Sequence, residues 1–241
     1  MSKAKAVCDR VYAVGGSDLS APEDAFVYLV DARTELVLID AGVGYGISRI
    51  EDNIRSLGFE PAKIQHIIAT HCHIDHIGGL FAWKDRYGSK IIAHELDRAG
   101  IEGENVELTA ASMYGVDYKP VNVDTLLKGE AEKLTFGDLE FNFLHTPGHT
   151  PGSISVYIDI KDGRVLFGQD IHGPFSPAWG SDLKKWRVSM QKLIALKADV
   201  LCEGHAGIYR GEKVGKYIES YLKFRLQQFE SFSAVETNLQ S

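Results

Sequence analysis

Residues 70–79 read THCHIDHIGG, setting His71, His73, Asp75 and His76 within six positions, after the apolar run IQHIIA and before two glycines. Neutral imidazole and carboxylate oxygen are donors that zinc takes at about 2.0–2.2 Å in compact sites. On an extended or turning segment His71 and His73 point the same way and can grip one ion. Asp75 and His76, past a bend, can face a second. Cys72 alternates away from both neighbouring histidines and is not counted among the donors.

Further candidate donors recur where apolar runs end: His149 in HTPGHTPGS, Asp170 closing VLFGQD, and His205 in EGHAG. Glycine or proline lies near each, where a loop leaves a strand. Seven donors in such places are the layout of a site on one sheet edge. The other histidines are assigned more modest places. His66 reads as a surface or junction residue, His94 as a surface group at a helix start, and His145 as a support for His149. His172 reads as a rim residue that either touches substrate or belongs to the loop. In IHGPFSPAWGS (171–181), Phe175 and Trp179 offer a hydrophobic wall for substrate, or a packed surface loop. GGSDLSAPED (15–24) reads as a turn able to flap over the donors.

The elements that must carry these residues follow from periodicity. RVYAV (10–14), AFVYLV (25–30) and ELVLID (35–40) predict an opening antiparallel set of strands. Helical spacing of Ile47, Ile50, Ile54 and Leu57 predicts a helix over 47–59, stopped at Gly58. A strand at 64–70, a helix at 77–88 and a strand at 90–94 make a layered α/β pattern. Residues 96–116 read as a poorly amphipathic helical insert, with Met113 and Tyr114 on a cover over the core. Strands are expected at 139–146, 153–159, 164–170 and 199–204, and helices at 181–196 and 211–230. The last helix carries an apolar stripe, Val214, Tyr217, Ile218, Tyr221, Leu222, Leu226 and Phe229, suited to its own sheet or to a homodimer contact. The whole, residues 1–241, reads as one domain of two similar halves packed sheet to sheet.

Composition narrows the function. With 44% hydrophobic and 24% charged residues the chain can bury a sizeable core. A net charge of −7 argues against a surface built for nucleic acid or anionic lipid. No window approaches the roughly 20 apolar residues of a membrane span, and the N-terminal stretch lacks the apolar core of a secretory signal. Three cysteines without a C-x-x-C pair suggest neither a disulfide framework nor a thiolate site, and a reducing cytoplasm is the expected location.

Taken in order, Asp40 in LVLIDAG, the HxHxDH run at 71–76, His149, Asp170 and His205 resemble the metallo-β-lactamase superfamily of hydrolases over roughly residues 10–210. The resemblance implies a four-layer αββα sandwich, two mixed sheets face to face with helices outside. It implies that His71, His73 and His149 hold one metal, that Asp75, His76 and His205 hold a second, and that Asp170 bridges them. Asp40 would prop the motif loop from behind. The implied cofactor is zinc, two per chain, with iron or manganese as alternatives. Gln169 departs from the family, where glycine is usual before the bridging aspartate. That bridging carboxylate separates the chain from the true β-lactamases and groups it with the thioesterase and lactonase branches.

The implied chemistry is hydrolysis of a small ester, thioester or lactone. Two ions sharing a water would lower its pKa from about 15.7 toward about 7, and a metal would stabilise charge on the carbonyl oxygen. Asp75 would orient the nucleophile and pass a proton to the leaving group. Glutathione thioesters call for a basic cluster, and beyond His205 the chain offers Arg210, Lys213 and Lys216. Lactonases place a tyrosine shortly after the bridging aspartate, where this chain has His172. Two other readings are a persulfide dioxygenase with one iron on the first ligand group, and a non-catalytic or nucleic-acid-processing relative.

Overall fold

Along the strands apolar side chains alternate between two buried surfaces, and this alternation builds the layers. Val30, Val37, Ile39, Phe141, Val156, Ile158 and Phe167 face one common core, whereas Leu29, Leu36 and Leu38, their neighbours in sequence, belong to another. A period of two lets a single strand fill both. The structure, a computed structural model, describes residues 3–238, and side chains through residue 225.

The first sheet runs in chain order: β1 (Lys5–Cys8), β2 (Val11–Gly15), β3 (Val27–Asp31), β4 (Leu36–Ile39), β5 (Ile64–Ile68), β6 (Lys90–His94) and β7 (Thr125–Leu127). β1 to β4 pair antiparallel, β4 to β7 parallel. The second comprises β8 (Ala131–Phe136), β9 (Leu139–His145), β10 (Ile154–Ile160), β11 (Gly163–Gln169), β12 (Val200–Glu203) and β13 (Ile208–Arg210). It is antiparallel except between β11 and β12. The helices are α1 (Ile47–Ser56), α2 (Ile74–Ile77), α3 (Leu80–Tyr87), α4 (Arg98–Ile101), α5 (Ala111–Tyr114), α6 (Leu183–Ala195) and α7 (Glu212–Asn238).

The inner faces of the sheets share one core. Outside the first sheet, Ile47, Ile50 and Ile54 of α1 and Leu80 and Trp83 of α3 pack on Leu38, Ile67 and Ile91. Outside the second, Trp186, Met190 and Leu193 of α6 join Val214, Tyr217 and Ile218 of α7 on Leu166 and Leu201. The result is the four-layer αββα sandwich. The apolar stripe of the last helix thus packs on the protein's own sheet through Leu222, while Leu226 and Phe229 lie outside the residues whose side chains are described. Among the described residues no helix is long and apolar enough to cross a membrane.

Four strands, β1, β7, β8 and β13, escape the sequence reading. All lie at or beside a sheet edge, and β8, AEKLTF, buries only its last residue. With one partner and few buried positions, such segments carry little apolar signal. The 96–116 segment also departs from expectation. It is not a continuous helix but a chain of single turns, α4, α5 and two 3₁₀ turns, at Glu95–Asp97 and Val106–Thr109. Left-handed residues at Gly103, Ala110 and Gly115 interrupt it. Nor is it all cover, because Asp97 and Ile101 are buried.

Phe141 is fully buried between the sheets. Phe141→Ala should lower unfolding free energy by about 3–5 kcal/mol, the usual range for a buried Phe truncated to Ala. Denaturant titration checks this, and a loss below about 1 kcal/mol would contradict a tightly packed intersheet core.

Candidate metal centre

The site occupies the edge where β4, β5, β9, β11 and β12 end. Asp40 follows β4, residues 70–76 follow β5, His149 lies in the loop after β9, Asp170 follows β11, and His205 follows β12. Ligand sites of α/β sheets sit at the carboxyl ends of strands for this geometric reason. Ile154 N donates to Thr70 O at 2.8 Å and Phe26 N to Gly204 O at 2.7 Å, stitching the two sheets together beside it.

The 71–76 run divides where its backbone changes. His73 is extended (φ −72°, ψ 145°) and caps α2, so His71 and His73 leave the extended part while Asp75 and His76 leave the helical turn. The two glycines that follow explain themselves by close approach. A Cβ on Gly78 would overlap the Val43 carbonyl, and one on Gly79 the Ala41 carbonyl. Ala41 N donates to His76 O at 2.7 Å across this contact.

Two donor groups result. His71, His73, His149 and Asp170 place one ligand atom each within 4.8 Å of one another, and so do Asp75, His76, Asp170 and His205. Asp170 belongs to both. Its Oδ1 lies 3.2 Å from His76 Nε2, and its Oδ2 lies 3.4 Å from His149 Nε2 and 3.3 Å from His205 Nε2. His205 Nε2 is also 3.1 Å from Asp75 Oδ2. Six of these seven residues are buried, and His205 alone is exposed.

The electrostatics of the two groups differ. Burial, and then repulsion from His76, His73 and His149, hold His71 well below the usual imidazole range, and burial with His149 pushes His73 down to about 3. Both rings are therefore neutral, with lone pairs to give. In the second group burial disfavours the imidazolium, but Asp170, Asp40 and Asp75 outweigh it and raise His76 well above its ordinary value. Asp170 and Asp75 likewise raise His205 to about 10 against its own burial. This cluster of carboxylates demands positive charge.

The residues present fit metal cations. The Nε2 atoms of His71, His73 and His149 are buried and make no hydrogen bond. Buried polar atoms are otherwise almost always paired, so three converging orphans point to a ligand. At Gly204 a Cβ would overlap Asp170 Oδ1, so this glycine leaves space for the shared carboxylate.

Supports surround the donors. Asp40 accepts from Thr70 N at 2.8 Å, from Thr70 Oγ1 and from His76 Nδ1 at 2.7 Å, while Thr70 Oγ1 lies 3.2 Å from His71 Nδ1. It therefore fixes one ring of each group. His145 does not touch a donor. Its Nε2 lies 2.9 Å from Pro151 O, steadying the loop that carries His149. His94 is not a surface group: it caps the following turn through Leu96 N, but its ring is buried and stacked on His145, with centroids 4.0 Å apart. Its place at the end of β6, covered by His145, leaves it almost no solvent. His66 lies on β5 itself, half-buried, with Nδ1 2.7 Å from Glu35 Oε2. Cys72 is turned away, with Sγ 3.4 Å from Leu108 O.

Residues 15–24 are a buttress and not a flap. Leu19, Ser20 and Asp24 are buried, Asp24 accepts from Val43 N at 2.7 Å and from Ser20 Oγ, and burial pushes its carboxyl up to about 6.

Two supporting carboxylates are absent from the sequence reading. Asp97 accepts from Cys72 N at 3.0 Å, Thr150 Oγ1 at 2.6 Å and Gly152 N at 2.6 Å, joining the loops of His71 and His149. Glu203, fully buried, accepts from His205 N at 2.7 Å and Ala206 N at 2.6 Å, and its Oε1 lies 2.9 Å from His172 Nδ1. Their position, two residues before His205 and three after His94, was the only available hint.

Gln169 adopts the left-handed conformation, φ 46°, that glycine would take there. The β11–β12 register shifts between Phe167 and Gln169, an irregularity that re-aims the following Asp170, and Gln169 Oε1 accepts from Asp170 N at 3.0 Å.

Above the donors lies a cavity of about 210 Å³. Its floor is His73, Asp75, Asp170 and His205, and its wall is Ala110, Met113, Tyr114, His172, Pro174 and Trp179. Trp179 stands edge-on to His73 at 4.7 Å. Partial burial and the facing Asp75 carboxylate raise the Tyr114 phenol. Phe175 does not join this wall. It backs His149 at 5.9 Å and lines a neighbouring cavity.

Fold and site together define an αββα sandwich with a His/Asp cluster suited to divalent metal. Residues 21–205 match the metallo-beta-lactamase superfamily, and the chain belongs to it. It is 26% identical over 239 residues to the metallo-beta-lactamase fold-containing protein ST1585 of Sulfurisphaera tokodaii, covering 92% of this chain and 87% of that protein. It is 32% identical over 107 residues to the hydroxyacylglutathione hydrolase of Brucella ovis, covering 44% of this chain and 33% of that enzyme. Among solved structures, the subclass B3 metallo-beta-lactamase BJP-1 of Bradyrhizobium japonicum superposes with a TM-score of 0.78 at 26% identity, covering all of this chain and 97% of that one.

Asp40→Ala would leave His76 Nδ1 and Thr70 N without their acceptor. Metal affinity should fall about 10- to 100-fold, the usual effect of losing a group behind a ligand, as read by competition with a chelator. Gln169→Gly relieves a left-handed side chain but loses one hydrogen bond, so stability should change by less than about 1 kcal/mol. Gln169→Val, β-branched at positive φ, should cost more than about 1 kcal/mol by thermal unfolding.

Proposed function

We propose that the protein is a dinuclear zinc hydrolase that cleaves a small ester, thioester or lactone. The observation that carries this reading is the pair of complete donor groups joined by Asp170. One zinc is assigned to His71, His73 and His149, the second to Asp75, His76 and His205, with Asp170 common to both. When bound, such ions acidify a water molecule and polarise a carbonyl as Lewis acids.

The chain's own residues do the rest. Asp170 and Asp75 face the cavity floor as hydrogen-bond acceptors and orient the attacking water. Asp75 takes the proton it loses and returns it to the departing oxygen or sulfur. The wall, mostly apolar, keeps bulk water from the reacting carbon and holds an acyl group by contact. It contains no lysine or arginine, which favours an uncharged acyl group over a substrate held by its carboxylates. The thioester element of the reading also draws on the partial likeness to hydroxyacylglutathione hydrolase. With a net charge of −7, a small molecule suits the chain better than nucleic acid.

A mononuclear iron dioxygenase would need only the first donor group. The intact second group, with the two carboxylates of Asp75 and Asp170 drawn up against His76 and His205, favours two cations.

Protein purified without added metal should contain about two zinc per chain and hydrolyse members of a panel of esters, thioesters, lactones and β-lactams, losing that activity to a chelator. About one iron per chain with thiol-dependent oxygen uptake would overturn the reading. Turnover of β-lactams alone would overturn its substrate class.

A further inference from the structure

The loop after β11 is a partition between two cavities, with successive residues on opposite sides of it. Pro174 lines the cavity above the donors, whereas Phe175 lines its neighbour of about 670 Å³, with Gly148 and Pro151. The turn into the partition is tight: Gly173 is left-handed, φ 95°, and a Cβ there would overlap the Phe175 ring. Both ends of this stretch are tied down. Trp186 Nε1 donates to Ile171 O at 3.0 Å, and Ser181 Oγ accepts from Ser176 N at 3.0 Å while donating to His149 O at 2.7 Å.

Between those ends the partition is gripped from outside by α7. Tyr217, Tyr221 and Arg225 follow at intervals of four residues and so share one face of that helix. Tyr221 packs on the buried Tyr217 at 5.1 Å between centroids, which anchors the helix where Arg225 leaves it. Arg225 Nη2 donates to His172 O at 3.2 Å, and its guanidinium lies 5.0 Å from the Phe175 ring and 5.7 Å from the Phe224 ring. A guanidinium is drawn to aromatic faces, and its planar fork can stack and donate at once. One side chain thus holds the partition on both sides of Pro174, by a carbonyl at 172 and a ring at 175. Phe175 in turn stands edge-on to His149 at 5.9 Å and to Trp186 at 5.5 Å.

We propose that Arg225 is a positioning residue that holds this partition against the donor loops and thereby sets the width of the reaction cavity. Arg225 does not line that cavity, so it acts through Pro174 and Phe175 and not by touching substrate. The donors stand at strand ends and do not depend on it. Releasing the arginine should therefore loosen substrate binding and leave the metal ligands in place. What concerns substrate here rests on the hydrolase reading above.

The test compares the metal-loaded full-length protein with Arg225→Met, Arg225→Lys and Lys223→Met, the last removing an exposed charge from the same helix. In Arg225→Met the amides of residues 171–176 should exchange with deuterium about tenfold faster, with those of 70–76 and the zinc content unchanged. For a panel member that the unmodified protein turns over, KM should rise about tenfold while kcat stays within about threefold. Arg225→Lys keeps a cation and a donor but not the planar fork, so it should recover part of both effects, and Lys223→Met should show neither. Should Arg225→Met not fold, the smaller shifts of Arg225→Lys decide in its place. Unchanged exchange at 171–176, zinc lost along with the rise in KM, or a lowered kcat at constant KM overturns the assignment. If zinc-loaded protein hydrolyses no member of the panel, the hydrolase reading falls, and the exchange rates still decide whether Arg225 holds the partition.

Discussion

Keeping the Nε2 atoms of His71, His73 and His149 buried and without a hydrogen bond is the constraint on which the structure turns. Each such atom costs about 1–3 kcal/mol while it stays unpaired. The rings cannot relieve that cost by taking protons, because burial and the repulsion that protonation would bring hold His71 and His73 neutral. Such a triad holds its shape only if the surrounding backbone leaves it no alternative. The site accordingly stands where two sheets meet and not on a free loop.

Three buried carboxylates supply that rigidity, and each spans elements distant in sequence. Asp40 ties the end of β4 to Thr70 and His76. Asp97 ties Cys72 to Thr150 and Gly152, so that the loops of His71 and His149 move together or not at all. Glu203 ties His172 to the backbone of His205. A carboxylate accepting two or three hydrogen bonds satisfies its own charge while it orients its donors, which is why one acid can take the place of several packing contacts. The arrangement is a frame of acids around a cluster of bases.

The legibility of this frame in the sequence follows from how local each signal is. HxHxDH is compressed into six residues, so residue types and spacing alone place a bend between its first two histidines and its last two donors, and the backbone shows that the part past the bend is a helical turn. His149, Asp170 and His205 were legible because each ends an apolar strand. Strands with both faces buried announce themselves by β-branched runs, whereas β7, β8 and β13, short or at an edge, do not. Asp97 and Glu203 look like ordinary helix-start and strand-end acids, since their importance lies in partners more than 20 residues away or in backbone groups that any residue has. His94 was misplaced for a related reason, because only tertiary packing shows that His145 covers it. Gln169 departs from family habit, and only the backbone shows that it adopts the glycine-like conformation regardless.

The division between floor and wall also follows from backbone physics. The floor is built at strand ends, and its residues answer to two hydrogen-bonded sheets. The wall comes from single turns at 106–115 and from the loop at 171–181, with left-handed backbone at Ala110, Gly115, Gly173 and Gly180. Side chains on such turns can change without disturbing a ladder of strand hydrogen bonds, because no ladder runs through them. Floor and wall are therefore built on separate elements, joined at one place. Glu203 grips the backbone of a floor residue with one oxygen and the ring of a wall residue with the other, so that a single buried side chain holds both parts there.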